Sequence, residues 1–351
     1  MAIEEFNAAL EWQADHAIEA GAPCTARVIR ALHKVRESDT ATGRRMANWQ
    51  GLTLKDAMPL RIAGGLHHLV LSGTDDRLAR VYSGQITDQA QVDALVCELV
   101  ATYDNRLLPW LDGPPQTNEA GRSASIMAGL LWLTQHVAPR FEMFELGASA
   151  GVNTMMERYF YRLGETEAGP PGSPMQIVPE WRGDSPPAST IAITSIRGCD
   201  VQTIDLSDEA SALKLKSYVW PDALARMVRI DAAIELAGQN PPDLVQMDAG
   251  EFVQQQLERV QASGTTRVMF HSIMWQYMPS ETQSAITQAM EQAGSQASDD
   301  KPLAWISLET NPATFRHELR VRYWPGGPAG EGALLAHAHP HGAWVEWTAE
   351  A

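Results

Sequence analysis

Between Phe141 and Asn153 the chain reads FEMFELGASAGVN, and this stretch divides two kinds of sequence. Before it, apolar residues recur at three- and four-residue spacing; after it, short apolar runs alternate with such repeats. The stretch itself is a strand pattern ending in Glu145, a turn carrying Gly147, Ser149 and Gly151, and the start of a helical pattern. A glycine-rich turn between strand and helix lets the main chain come close to a ligand, and the helix start offers unpaired N–H groups.

The upstream part reads as helices over residues 3–20, 24–36, 60–71, 89–108 and 118–136, with Asp112-Gly113-Pro114-Pro115 as a breaker before the last. Downstream, strands are expected at 143–146, 191–196, 244–247, 268–271 and 303–308, with helices over 213–237, 252–260 and 281–292. Strands alternating with helices imply right-handed crossovers and a largely parallel sheet covered on both faces. Residues 318–323 and 343–347 flank a Pro/Gly-rich loop and predict a terminal antiparallel hairpin. Residues 164–187 are rich in Gly, Pro and Ser, and 159–161 with 176–178 predict a hairpin inserted near 162–190. The expectation is an all-helical N-terminal region, 1–138, followed by an α/β, doubly wound, mostly parallel domain over 139–351.

Length and an apolar content of 44% allow a sizeable buried core. A formal charge of −16 argues against a nucleic-acid partner, which asks for a basic face. The three cysteines, Cys24, Cys97 and Cys199, are widely spaced, fit a reducing compartment and give no sulfur-based zinc site. The acidic, amphipathic N-terminus is unlike a signal peptide, and no apolar run approaches the roughly 20 residues of a membrane span. A cytoplasmic location and a small-molecule partner are therefore expected, with a homodimer left open.

Read as G-x-S-x-G, the turn matches the nucleophile elbow of α/β-hydrolases, with Ser149 as nucleophile. That elbow normally follows several strands, whereas Ser149 stands on the first, and no His-Gly-Gly-Gly segment precedes it. Read as E-x-G-x-S-x-G, it resembles the first motif of class I S-adenosylmethionine-dependent methyltransferases, Ser149 replacing the middle glycine. The resemblance implies a Rossmann-like sheet in which Glu145, Gly147, Ser149 and Gly151 seat the cofactor. Asp200 after the second strand would hold its ribose, with Asp205 as a fallback, and Asp248-Ala249 after the third would read its adenine. Asp200 lies farther from Glu145 than the about 20 residues of the compact pattern, an excess the insertion explains. His271, ending the fourth strand, would be a general base, and Trp275 and Tyr277 would wall the acceptor pocket.

Other residues admit two readings. Asn118 is a natural N-cap and Glu119 suits a helix start, or else both overhang the strand ends with Arg122 pairing a carboxylate of cofactor or substrate. His337, His339 and His341 alternate as zinc ligands on one strand face would, but Pro340 favours a turn. His67 and His68 sit in an apolar helix as packing residues. Val219-Trp220-Pro221-Asp222 starts a helix with Arg226 and Arg229 on one face. That last phrase, with Gln116–Ser123, ELGASAGVN followed by Glu157-Arg158-Tyr159 and Tyr161, Arg197-Gly198-Cys199-Asp200 and His271-Ser272 with Trp275-Gln276-Tyr277, forms a set similar to a bacterial family classified only as a domain of unknown function. That resemblance implies a helical region plus a methyltransferase-like core and supplies no reaction. The expected function is S-adenosylmethionine-dependent methyl transfer to a small molecule; the alternatives are a serine hydrolase using Ser149 and a non-catalytic binding protein on the same fold.

Overall fold

The structure is a computed structural model describing residues 6–349. Among the described residues eight α-helices open it: α1 (Phe6–Glu19), α2 (Pro23–Arg36), α3 (Ala41–Ala47), α4 (Met58–Leu71), α5 (Ala79–Tyr82), α6 (Gln89–Thr102), α7 (Asp104–Leu107) and α8 (Ser123–Leu133). Six strands follow: β1 (Arg140–Leu146), β2 (Phe160–Leu163), β3 (Thr166–Ala168), β4 (Gln176–Ile177), β5 (Glu180–Arg182) and β6 (Ala192–Asp200). Next come α9 (Glu209–Ser217), α10 (Leu224–Gln239), β7 (Asp243–Gln246), α11 (Ala249–Glu258), β8 (Thr266–Ser272) and α12 (Ser280–Gly294). Four strands close it: β9 (Leu303–Thr310), β10 (His317–Trp324), β11 (Ala333–Ala338) and β12 (Trp344–Trp347). Two compact units result, 6–117 with 208–231, and 118–207 with 232–349. The first boundary falls at 117, ahead of the expected 138, because α8 packs on the sheet.

The first unit is helical. Val28, Ile29, Leu32 and Val35 form one stripe on α2 and are buried with Leu10, Met58, Ile62 and Leu66 in a common core. Residue 22 supplies no side-chain cap for α2. Asp222 does so from far along the chain, accepting from Cys24 N (2.9 Å), Thr25 N (2.8 Å) and Thr25 Oγ1 (2.7 Å). The expected helix over 213–237 is thus broken at Trp220-Pro221-Asp222, and Asp222 is spent on α2. His67 is a packing residue as expected: it is 4% exposed, its Nδ1 meets Ser217 O at 3.1 Å, and burial lowers its pKa to about 4.

The second unit is α/β. Its nine-stranded sheet runs β5-β12-β11-β10-β9-β8-β1-β6-β7. The segment β7-β6-β1-β8-β9 is parallel throughout, and β10, β11 and β12 continue it antiparallel. Strands buried on both faces need largely apolar runs, which Val268–Phe270 provides and Phe141–Leu146 provides between Glu142 and Glu145. Gly129 of α8 lies against Ile306 and Val321 on one face. On the other, Phe144, Leu146, Met269 and Leu303 pack with Phe252 and Val253 of α11 and Ile286 and Met290 of α12.

Two strand expectations are corrected. Residues 318–323 and 343–347 do not pair with each other, since β11 lies between β10 and β12. An alanine-rich run, ALLAHA, gave β11 little strand signal, and its half-buried face packs within the sheet's edge region. Nor do 159–161 and 176–178 form a hairpin: β2 pairs β4 in parallel and β3 antiparallel, as a separate three-stranded sheet. The chain then returns to the large sheet, where β5 pairs parallel with β12.

Candidate functional site

The turn after β1 takes positive φ at alternate residues, +69° at Gly147, +53° at Ser149 and +71° at Gly151. Three left-handed residues within five fold the main chain into a tight turn. Here the chain's own carboxylate enters it: Asp200 Oδ2 accepts Ser149 N at 2.9 Å, while Oδ1 accepts Gln202 N at 2.9 Å. Ala148 N donates to Cys199 O at 2.9 Å, so β6 holds the turn at two points. The glycines are also packing requirements. A Cβ on Gly147 would stand 2.8 Å from Met274, and one on Gly151 2.7 Å from Pro242.

Several polar atoms beside this turn are buried without a hydrogen-bond partner: Glu145 Oε2, Ser149 Oγ, and both amide atoms of Asn153. Buried polar atoms are normally matched, so such a group marks where a ligand or water belongs. Glu145 is 2% exposed, and burial pushes its pKa up to about 8. Asn153 and Arg122 oppose that rise, and the charge of Asp200 adds to it. Burial thus favours the neutral acid, which can donate as well as accept.

The side chains of the 118–122 segment bind main-chain groups. Asn118 Oδ1 accepts Val152 N at 2.7 Å, so it caps the turn after Gly151 and not its own helix. Glu119 takes the local capping role, accepting Gly121 N at 3.0 Å. Arg122, 8% exposed, donates to Pro340 O (2.9 Å) and Ser272 O (3.3 Å), fixing the end of β8. Asp248 caps α11 through Gly250 N (2.8 Å) and Glu251 N (3.3 Å), and Ala249 is buried in the core under it.

His271 stands elsewhere. In register, Glu145 faces Phe270 and Leu146 faces His271, so alternation sends the two ionisable side chains to opposite faces of the sheet. Glu145 shares the row of Phe270 and Ile306 under α8; His271 shares that of Leu146 and Ser307, on the face of α11 and α12. There, His271 Nδ1 meets Glu309 Oε1 at 2.7 Å, and the same oxygen accepts Met274 N at 3.1 Å. The Trp275 ring stacks on the imidazole at 4.9 Å and 17°. His271, Trp275, Trp305 and Glu309 line a cleft of about 720 Å³. Tyr277 is 78% exposed and is not among its lining residues. Ile273, between His271 and Met274, has φ +51°, a conformation that costs a β-branched residue on the order of 1–3 kcal/mol.

Glu309 is the residue that sequence reasoning missed, although it ends a parallel strand just as Glu145, Asp200 and His271 do. The serine triad is not assembled: Ser149 Oγ has no hydrogen-bond partner, and His271 is committed to Glu309. Among the described residues no cluster of His, Cys, Asp and Glu is arranged to hold a metal ion. His337 lies on β11, while His339 and His341 follow it in a turn where His341 N donates to His339 Nδ1 at 3.1 Å. Among the described residues no helix is long and apolar enough to cross a membrane.

No curated protein and no solved structure matches this chain. A family model does match it, over residues 7–347, and the chain accordingly belongs to the bacterial family described as "uncharacterized protein conserved in bacteria (DUF2332)".

Proposed function

We propose that the second unit binds S-adenosylmethionine over the turn after β1 and directs its methyl group to a small molecule. The observation that carries the reading is the strand order. The five parallel strands run third, second, first, fourth, fifth across the sheet, an order that supports a Rossmann-like reading, and the glycine-rich turn follows the first of them. Ligands in such sheets lie at the carboxyl ends of the strands, where the order reverses. Glu145, Ser149 and Asp200 stand at those ends, with Asp248 just beyond β7.

The residues fit the group. The buried, unmatched hydroxyl of Ser149, with the Glu145 carboxyl and the Asn153 amide side by side, suits the ammonium and carboxylate of an amino-acid moiety. Asp200 keeps further lone pairs on its oxygens for ribose hydroxyls, and exposed Asp248 has one oxygen free of its capping bonds for the adenine side. Met274 packs over Gly147 through its Cβ, Cγ and Cε, and only the thioether end of that side chain is flexible. When bound, the cofactor supplies an electrophilic methyl on a sulfonium. The chain's part is then to align donor and acceptor, with His271, oriented by Glu309 through Nδ1, taking the acceptor's proton at Nε2.

Isothermal titration of the full chain with S-adenosylmethionine and S-adenosylhomocysteine tests the reading. Both are expected to bind, and Asp248→Asn, which keeps the helix cap, is expected to weaken both about tenfold by removing one charged hydrogen bond. Absence of binding by either compound removes the proposal. Labelling of Ser149 by a fluorophosphonate would turn it toward a hydrolase.

A further inference from the structure

The cleft on the α12 face has a composition of its own. Four carboxylates line it, Glu291, Glu309, Glu318 and Glu331, against two guanidinium groups, Arg320 and Arg322. Arg320 pairs with Glu318 at 2.7 Å and Glu331 at 3.4 Å, and Arg322 pairs with Glu291 at 3.1 Å. Glu309 has no cation among these; its Oε1 serves His271 and Met274 N, and its Oε2 is buried with no partner. In a neutral imidazole that donates from Nδ1, the other nitrogen is an acceptor. His271 is 2% exposed, and its Nε2 is also without a partner. With Trp305 Nε1 and Arg322 Nε, two buried donors that also lack a partner, these atoms lie in a cleft walled by the faces of Trp275 and Trp305, whose ring centroids are 5.5 Å apart.

Glu309 Oε2 calls for an N–H or O–H donor, the excess of carboxylate calls for positive charge, and indole faces attract cations. A small organic ammonium meets all three demands, and about 720 Å³ is the size of a small-molecule pocket. We propose that this cleft binds a small organic amine in its ammonium form, with N–H groups directed to His271 and Glu309 and its apolar part on Trp275. As a binding site it stands on the cleft alone; only the amine's role as methyl acceptor rests on the cofactor reading.

The test uses the full chain without cofactor, so that its outcome is separate from that of the cofactor titration. Saturation-transfer NMR titrations compare benzylammonium with benzyl alcohol and benzoate, which keep the ring and change the charge. Benzylammonium is expected to bind about tenfold tighter than the alcohol, and benzoate more weakly than either. Glu309→Gln, and separately Trp275→Ala at the partly exposed wall, are each expected to weaken benzylammonium about tenfold while the melting transition persists. Equal binding of the three probes, or unchanged benzylammonium binding in the folded Trp275→Ala protein, overturns the assignment.

Discussion

Glu145 carries an acid proton in the folded chain that it would lose in the unfolded one at neutral pH. Its ordinary value is 4.5, and burial raises it to about 8. For an acid raised by folding, the folded state binds more protons between the two values, so stability falls as pH rises through that window. The contribution is fully present below about 4.5 and is lost by about 8. Glu145→Gln keeps the shape and removes the titration. The melting temperature of the variant relative to the parent is therefore expected to climb between pH 5 and pH 8, with a free-energy change on the order of a few kcal/mol. A difference that stays flat across that range would mean that the carboxyl is solvated. The same neutrality explains how an acid can end the central strand beneath α8 with one oxygen unmatched.

Asp222 shows how an element depends on chain far from it. The first-turn amides of α2 have no local cap, and three hydrogen bonds from Asp222 replace one. Asp222→Ala leaves those donors unmatched and is expected to destabilise the helical unit by about 1–3 kcal/mol, read as a lowered thermal midpoint, with Asp222→Asn losing less. No spacing rule in the sequence links residues 24 and 222. Strands β1, β6, β7, β8 and β9 were readable because each is a local apolar run with its own breaker. Strand β11 was not, since alanines carry little β signal and its pairing comes from neighbours on both sides. The parallel pairing of β2 with β4, and of β5 with β12, depends on register between distant segments, which a period-two pattern does not encode. The candidate site divides in the same way. Glu145, Gly147, Ser149 and Gly151 are fixed by one contiguous turn and were legible there. That His271 faces away from Glu145 follows only from the register of β1 against β8.

The two units cut across sequence order, and this makes their cooperativity testable. Residues 208–231 lie between β6 and β7 in the chain, yet they group with 6–117. The physical ties are specific: Asp222 on α2, Ser217 O on His67, and Tyr218 within 2.7 Å of the Cβ position on Gly64. Leu32 is fully buried in the helical core. Leu32→Ala is expected to cost that core about 2–5 kcal/mol. Hydrogen exchange followed by mass spectrometry should then show peptides from 208–223 losing protection together with those of α2 and α4. Peptides from β6 and β7, their neighbours in sequence, should keep theirs, because their hydrogen bonds run to β1 and to each other. If 208–223 instead kept its protection with β6 and β7 while α2 opened, the helical unit would not be one cooperative body, and its grouping would be geometric only.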